Sequence, residues 1–266
     1  MNEKTKKRIY GIVLPIISTA IIIVVLFAAS AIVDDGLVLP DPGEIFSEFC
    51  KLFTTKAFYG EIFGNLSRTL ASFALAFVLA CILAISAATN DIVDKMLYPL
   101  VSAVRAVPTM ALILWFLIVF KSDKSPMAVA FTVIFPMLYS AVYGAIKNRD
   151  VKLDEMARVF GVPKKKILFK IIIPDVAKRL FSQFCTTLSF TVKLIVAGEA
   201  LAYTKTSLGK ELQLASANLE TAKLLALTVA VIILSLLLEG AIKGVVYLIR
   251  RISYGYNRRK LIEKIR

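Results

Sequence analysis

The sequence predicts an all-α, polytopic membrane fold, and three observations predict it. The chain has 266 residues, of which 58% are apolar, with a mean hydropathy of +0.75; soluble domains sit nearer half apolar with about a quarter charged. Its apolar residues come in runs of about 20, the length at which a helix rising 1.5 Å per residue crosses a ~30 Å hydrocarbon core. Its formal net charge of +14 is concentrated in an N-terminal tail, one central loop and a C-terminal tail, the distribution expected of cytoplasmic segments in a membrane protein. With no soluble domain left over, this basicity does not point to nucleic acid.

Six apolar segments follow in order. The first, about Ile9–Val33, is preceded by Lys4, Lys6, Lys7 and Arg8. That basic start and Ala29-Ser30-Ala31 resemble a cleaved signal, but the apolar stretch exceeds a 7–15-residue signal core, so a retained span is expected. The others are about Leu66–Ala88, Leu97–Phe120, Met127–Ile146, Phe184–Tyr203 and Ala222–Ile249. Pro108 and Pro136 fall within the third and fourth, where proline breaks or kinks a helix.

With the N-terminus inside, six crossings place Asp34–Asn65, Lys121–Pro126 and Thr204–Thr221 outside. The same parity places Thr89–Met96, Lys147–Arg179 and the C-terminus inside. The outer Asp34–Asn65 segment carries Asp34, Asp35, Asp41, Glu44, Glu48 and Glu61 against Lys51 and Lys56, whereas the inner Lys147–Arg179 loop carries about ten Lys and Arg. One orientation satisfies every loop. The expectation is therefore a multi-pass protein of the cytoplasmic membrane, both termini cytoplasmic, forming one transmembrane domain over residues 1–266.

Residues 41–59 are too charged to span. Ile45, Phe49, Leu52 and Phe53 recur at helical spacing, and Asp41-Pro42 offers a cap followed by a proline at the first helical position. A short amphipathic helix at the outer surface is expected.

The inner loop, about 149–178, is patterned rather than irregular. Leu153, Met156, Ala157 and Phe160 line one face of a short helix, with Asp154 and Glu155 near its positive N-terminal end. Gly161 stands where a helix ends in a left-handed residue, and Pro163 blocks continuation. Lys164, Lys165 and Lys166 open a second amphipathic piece with Ile167, Ile171 and Ile173 on its apolar side, and Pro174 is expected to end it. An exposed apolar stripe needs cover; the chain's own helices and a partner protein are both candidates.

In this loop Glu155-Met156-Ala157 is followed after three residues by Gly161 and after nine more by Ile171-Ile172-Ile173-Pro174. The spacing resembles the EAA motif of ABC-importer permeases, Glu-Ala-Ala, three residues, Gly, nine residues, Ile-x-Leu-Pro, with Met156 and Ile173 as the departures. Over most of the chain the resemblance is to the nitrate/sulfonate/taurine type, with Arg105-Ala106-Val107-Pro108 near an Arg-Pro-x-Pro stretch and Ala197-Gly198-Glu199 near an Ala-Glu pair. The resemblance implies a type I importer permease fold. It makes Glu155, Met156, Ala157, Phe160, Gly161, Ile171, Ile173 and Pro174 the coupling element for a cytoplasmic ABC ATPase present in two copies. Glu155 serves there as a partner contact or as a cap of its own helix. A second permease copy, an extracytoplasmic solute-binding protein and the lipid bilayer complete the implied partners. The cargo implied is a small anion such as a sulfonate, taurine or nitrate; a thiamine precursor or another small organic nutrient is the alternative, and a stand-alone secondary transporter is a third reading.

Charges at membrane depth are expensive and usually face a bundle interior or a water-filled path. Lys193, Glu199 and Thr191 in the fifth segment, with Arg105 in the third, are therefore candidates for a translocation path, while Lys193 is equally accounted for by pairing with another helix. Lys193 and Glu199 are six residues apart and do not share a face. No catalytic constellation stands out. The chain has no histidine, its three cysteines are far apart and no metal site is expected. No Gly-rich phosphate-binding motif ending in Lys-Ser/Thr occurs, so no cofactor is expected on this chain; ATP and Mg²⁺ are assigned to the partner ATPase, and the chain is read as a transport subunit rather than an enzyme.

Overall fold

The computed structural model describes residues 40–148, 155–157 and 159–265. The predicted span Ile9–Val33 and the start of the inner loop, Leu153 and Asp154 included, lie outside the described residues. The chain divides into two compact units, one of Met1–Tyr59 with Glu211–Ala230 and one of Gly60–Lys210 with Val231–Arg266.

In the first unit, α1 (Pro42–Thr54) starts at Asp41, whose Oδ1 accepts from the Gly43 amide at 3.1 Å. Pro42 occupies the position where a missing N–H costs nothing. Apolar Phe46 is exposed on α1, and no residue of this helix is buried. Lys223 pairs with Glu211 at 3.3 Å and Glu220 at 3.6 Å within the same unit.

The helices α2 (Lys56–Thr89), α3 (Asp91–Ala106), α4 (Thr109–Lys147), α6 (Ile173–Ala202) and α8 (Thr221–Ile265) supply the rest of the framework. They are joined by the short α5 (Lys164–Ile167) and α7 (Leu208–Ala217). Among the described residues four helices are long and apolar enough to cross a membrane: Lys56–Thr89, Thr109–Lys147, Phe169–Ala202 and Thr221–Val246.

The predicted third span, Leu97–Phe120, is not one helix. It begins in α3, breaks at Val107-Pro108 and resumes in α4. Val107 is extended (φ −70°, ψ 128°), as the ring of a following proline demands. The α4 run in turn holds two helices joined across a kink at Lys121 (φ 60°, ψ −178°), at the boundary expected between the third and fourth spans. Helical dihedrals continue through Pro126 and Pro136, so Pro136 does not interrupt the fourth span.

The core of the second unit gathers on α2, α4 and α6. Ala76, Ala80, Ala84 and Ala87 are fully buried on α2. Their small side chains let neighbouring backbones approach closely, the usual source of helix association where lipid is as apolar as leucine. Ile134, Leu138, Leu188 and Ile195 fill the space, and α4 packs extensively along α6.

Candidate functional site

Three arrangements stand out, one apolar and exposed, one charged and buried, and one a polar cavity. The first is the inner loop. Glu155, Met156 and Ala157 are helical. The Phe160 amide donates to the Met156 carbonyl at 3.2 Å, and the Val162 amide reaches back to the Ala157 carbonyl at 3.0 Å. Between them Gly161 has φ +67°. A six-residue reach-back bond around a left-handed glycine is a Schellman cap, and it holds this end in a defined shape.

Ala157 is buried, whereas Met156, Val159 (85% exposed), Phe160 (78%), Phe169 and Ile173 are exposed, and Glu155 is exposed with them. Beyond Pro163, α5 gives way to a π-helical turn at Leu168–Ile172 and then directly to α6. Pro174 therefore does not end the second piece. It lies in the first turn of α6, and the wider π turn before it absorbs the carbonyl that a proline ring would otherwise strike. Ile167 is buried and Ile171 half-buried along this stretch.

The second arrangement centres on Glu199 of α6, which is fully buried. Its Oε1 accepts from Arg68 Nη1 at 2.7 Å, and its Oε2 from Asn65 Nδ2 at 3.4 Å and the Gly209 amide at 3.3 Å. The carboxylate thus ties α2, α6 and the start of α7 together. Glycines make this possible. A Cβ on Gly209 would stand 2.3 Å from the Val196 carbonyl oxygen, and one on Gly198 would stand 3.0 Å from Pro126 Cα. Thr191 is buried and donates to the Thr187 carbonyl at 2.7 Å, while Lys193 is exposed. The structure thus gathers Glu199 with residues not singled out in the sequence, and leaves Lys193 apart from it. Arg68 carried a signal, a charge just inside the second apolar segment; Asn65 and Gly209 carried none, because their roles arise only when helices meet.

The third arrangement lies between α3 and α4. Arg105, in the last turn of α3, donates through Nη2 to the Pro136 carbonyl and to Ser140 Oγ. Asp94, in the first turn, accepts from Tyr143 Oη at 2.6 Å. Between these two clasps is a cavity of about 510 Å³ lined by Asp94, Lys95, Tyr98, Arg105, Tyr139 and Tyr143 among others. Nothing in the sequence flagged the tyrosines, which are dispersed over α3 and α4. No cluster of His, Cys, Asp and Glu among the described residues is suited to a metal ion.

Comparison with known proteins adds to this geometry. Residues 76–251 match the family described as binding-protein-dependent transport system inner membrane component. The chain is 24% identical over 199 residues to the formylaminopyrimidine transport permease protein ThiX of Halalkalibacterium halodurans, covering 73% of this chain and 76% of the relative. It is 25% identical to a probable ABC transporter permease protein of Brucella melitensis biotype 1, covering 79% and 85%. It is 28% identical to the putative aliphatic sulfonates transport permease protein SsuC of Bacillus subtilis, covering 65% and 64%. In fold it is similar to a chain of the inward-facing MetNI methionine ABC transporter, with a TM-score of 0.62 and 17% identity over 72% of this chain and 95% of that one.

Proposed function

The chain belongs to the binding-protein-dependent transport system inner membrane component family, and on that premise we propose that residues Glu155–Pro174 couple it to a separate ATPase that drives import. The chain is a multi-pass membrane permease subunit and not itself an ATPase. One observation carries the coupling reading: a capped helix end presents Met156, Val159 and Phe160 outward, with nothing over them among the described residues. Exposed apolar side chains held rigidly are the material of a docking element. A rigid helix seated in a partner's groove transmits that partner's motion. Closure of two ATPase subunits on ATP would move the docked loops and reorient the spans. Glu155, exposed beside the apolar patch, suits a basic residue of the partner.

The complete assembly is read as two copies of this permease, two ATPase subunits holding ATP and Mg²⁺, and an external binding protein, with both termini of the permease cytoplasmic. The cargo is a small solute. Similarity to SsuC favours a sulfonate-like anion, and similarity to ThiX favours a thiamine-precursor pyrimidine equally.

Co-purification with an ABC ATPase subunit of the same organism tests the coupling. Wild type should retain the ATPase. Phe160→Asp and Glu155→Lys, both at exposed positions, should lose it while the permease keeps its melting temperature. Equal retention by all three would put the contact elsewhere.

A further inference from the structure

The cavity between α3 and α4 has a chemistry of its own, and we infer that it is a transit site for an aromatic anion, a flat ring bearing a sulfonate, carboxylate or phosphate group. This rests on the permease reading above and narrows its cargo. The cavity of about 510 Å³ falls in the range of small-molecule sites and is far larger than a nitrate or methanesulfonate needs. On one side its polar groups, Tyr139, Ser140 and Tyr143, belong to α4, a helix of membrane length, where such groups usually face a bundle interior or a solute route.

The charges favour an anion. Arg105 and Lys95 line the cavity, and neither is ion-paired among the described residues. The one lining carboxylate, Asp94, is already engaged by the Tyr143 hydroxyl at 2.6 Å. Arg105 spends a single guanidinium nitrogen, Nη2, on Pro136 and Ser140, so its remaining N–H groups are available to a planar or tetrahedral oxyanion, the partners that a guanidinium fork fits.

The walls favour a ring. Tyr139 and Tyr143 are near-parallel, with centroids 6.0 Å apart and an 11° interplanar angle. Tyr98, from the opposite helix, is 73% exposed, with its ring uncommitted to the core. Rings presented this way gain from offset or edge-on packing with an aromatic solute, and an alkyl chain gains only area. An uncharged aminopyrimidine would use the rings and leave both cations unanswered.

The test is saturation-transfer NMR on the full chain co-purified with its ATPase in lipid nanodiscs, with benzenesulfonate, methanesulfonate and 4-amino-5-hydroxymethyl-2-methylpyrimidine as probes. Benzenesulfonate should bind, with the other two weaker by about tenfold or more, a difference of one good polar or aromatic contact. Tyr98→Ala, which removes an exposed ring, and Arg105→Gln should each weaken benzenesulfonate, and Arg105→Lys should restore part of the loss. Equal binding of methanesulfonate would overturn the ring, preference for the pyrimidine would overturn the anion, and indifference to both variants would overturn the location. If benzenesulfonate fails to bind while the ATPase co-purifies, this inference falls and the permease reading stands. If the ATPase never co-purifies, the coupling reading falls, and the same probes on the permease alone in nanodiscs decide the present inference.

Discussion

The buried Glu199 anchor and the exposed loop around Phe160 invert the usual placement of charge and grease. In the anchor a carboxyl side chain is buried and met on both oxygens by donors from α2 and α7. In the loop, large apolar side chains stand outside on a helix end fixed by a reach-back cap. A buried charge with all its partners inside one chain holds that chain together. An exposed apolar patch with no cover among the described residues is complete only when something else arrives. Damage to the anchor should therefore appear as lost stability, and damage to the loop as lost association.

The anchor should give the largest effect. Removing one member of a buried ion pair leaves the other charge without compensation and typically costs ~3–5 kcal/mol. Glu199→Ala should therefore lower the melting temperature of the detergent-solubilised protein sharply, because Arg68 is only 18% exposed at its side chain and cannot fully rehydrate. The double variant Glu199→Gln with Arg68→Met should recover part of that loss, since it removes the charge from both sides. If the double variant is no better than Glu199→Ala, the carboxylate does not act through Arg68. The translocation-path expectation for Glu199 can be tested with the same pair: a stable double variant that no longer transports would give the carboxylate a role beyond holding helices.

The next effect isolates geometry from charge. Gly209→Ala adds one methyl group, yet its Cβ would meet the Val196 carbonyl oxygen at 2.3 Å and the Ala200 amide nitrogen at 2.5 Å. Neither backbone atom can turn aside, so α7 must withdraw and the Gly209 amide must leave Glu199. Overpacking of this kind costs ~1–3 kcal/mol. Melting should show a smaller loss than Glu199→Ala, and the two losses should be strongly non-additive because they break one network. Simple additivity would show that Gly209 and Glu199 act separately.

How legible these regions were in the sequence follows from their physics. The loop was readable because its determinants are local: helical spacing of Met156, Ala157 and Phe160, then a glycine where only a left-handed residue fits. The spans at Leu66–Ala88, Met127–Ile146, Phe184–Tyr203 and Ala222–Ile249 were readable for the same reason, since run length alone sets a span. Pro108 announced the break in the third segment, but Leu97–Phe120 still read as continuous because hydropathy does not register a single extended residue at Val107. Pro174 misled in the other direction; a proline marks a helix end only if the preceding turn cannot widen, and here a π turn does. The anchor was half hidden. Glu199 stood out as a charge in an apolar run, whereas Gly209 looked like loop punctuation, and its need to be glycine comes from Val196 on another helix. The cavity was invisible, because tyrosines spread from Tyr98 to Tyr143 form a wall only after α3 folds back on α4.

The smallest effect tests the loop's shape without touching its surface. Gly161 has φ +67°, and a Cβ built there meets nothing within 4 Å. Gly161→Ala therefore removes no contact and adds no clash. Its whole cost is the left-handed backbone, ~1–2 kcal/mol for a residue with a Cβ. That cost falls on the local cap rather than on the core, so global melting should barely move. Hydrogen exchange should detect it, because the Val162 amide is protected by its bond to the Ala157 carbonyl. Opening of that bond should become about 5–30-fold more frequent, the population change that 1–2 kcal/mol brings, and Gly161→Asn should fall between alanine and wild type because asparagine tolerates the left-handed region better. ATPase retention should weaken in the same order without being abolished, since Phe160 and Met156 are still present but less often in place. If exchange at Val162 accelerates while retention is unchanged, the partner reads the side chains and not the cap, and the loop docks by induced fit rather than as a preformed wedge.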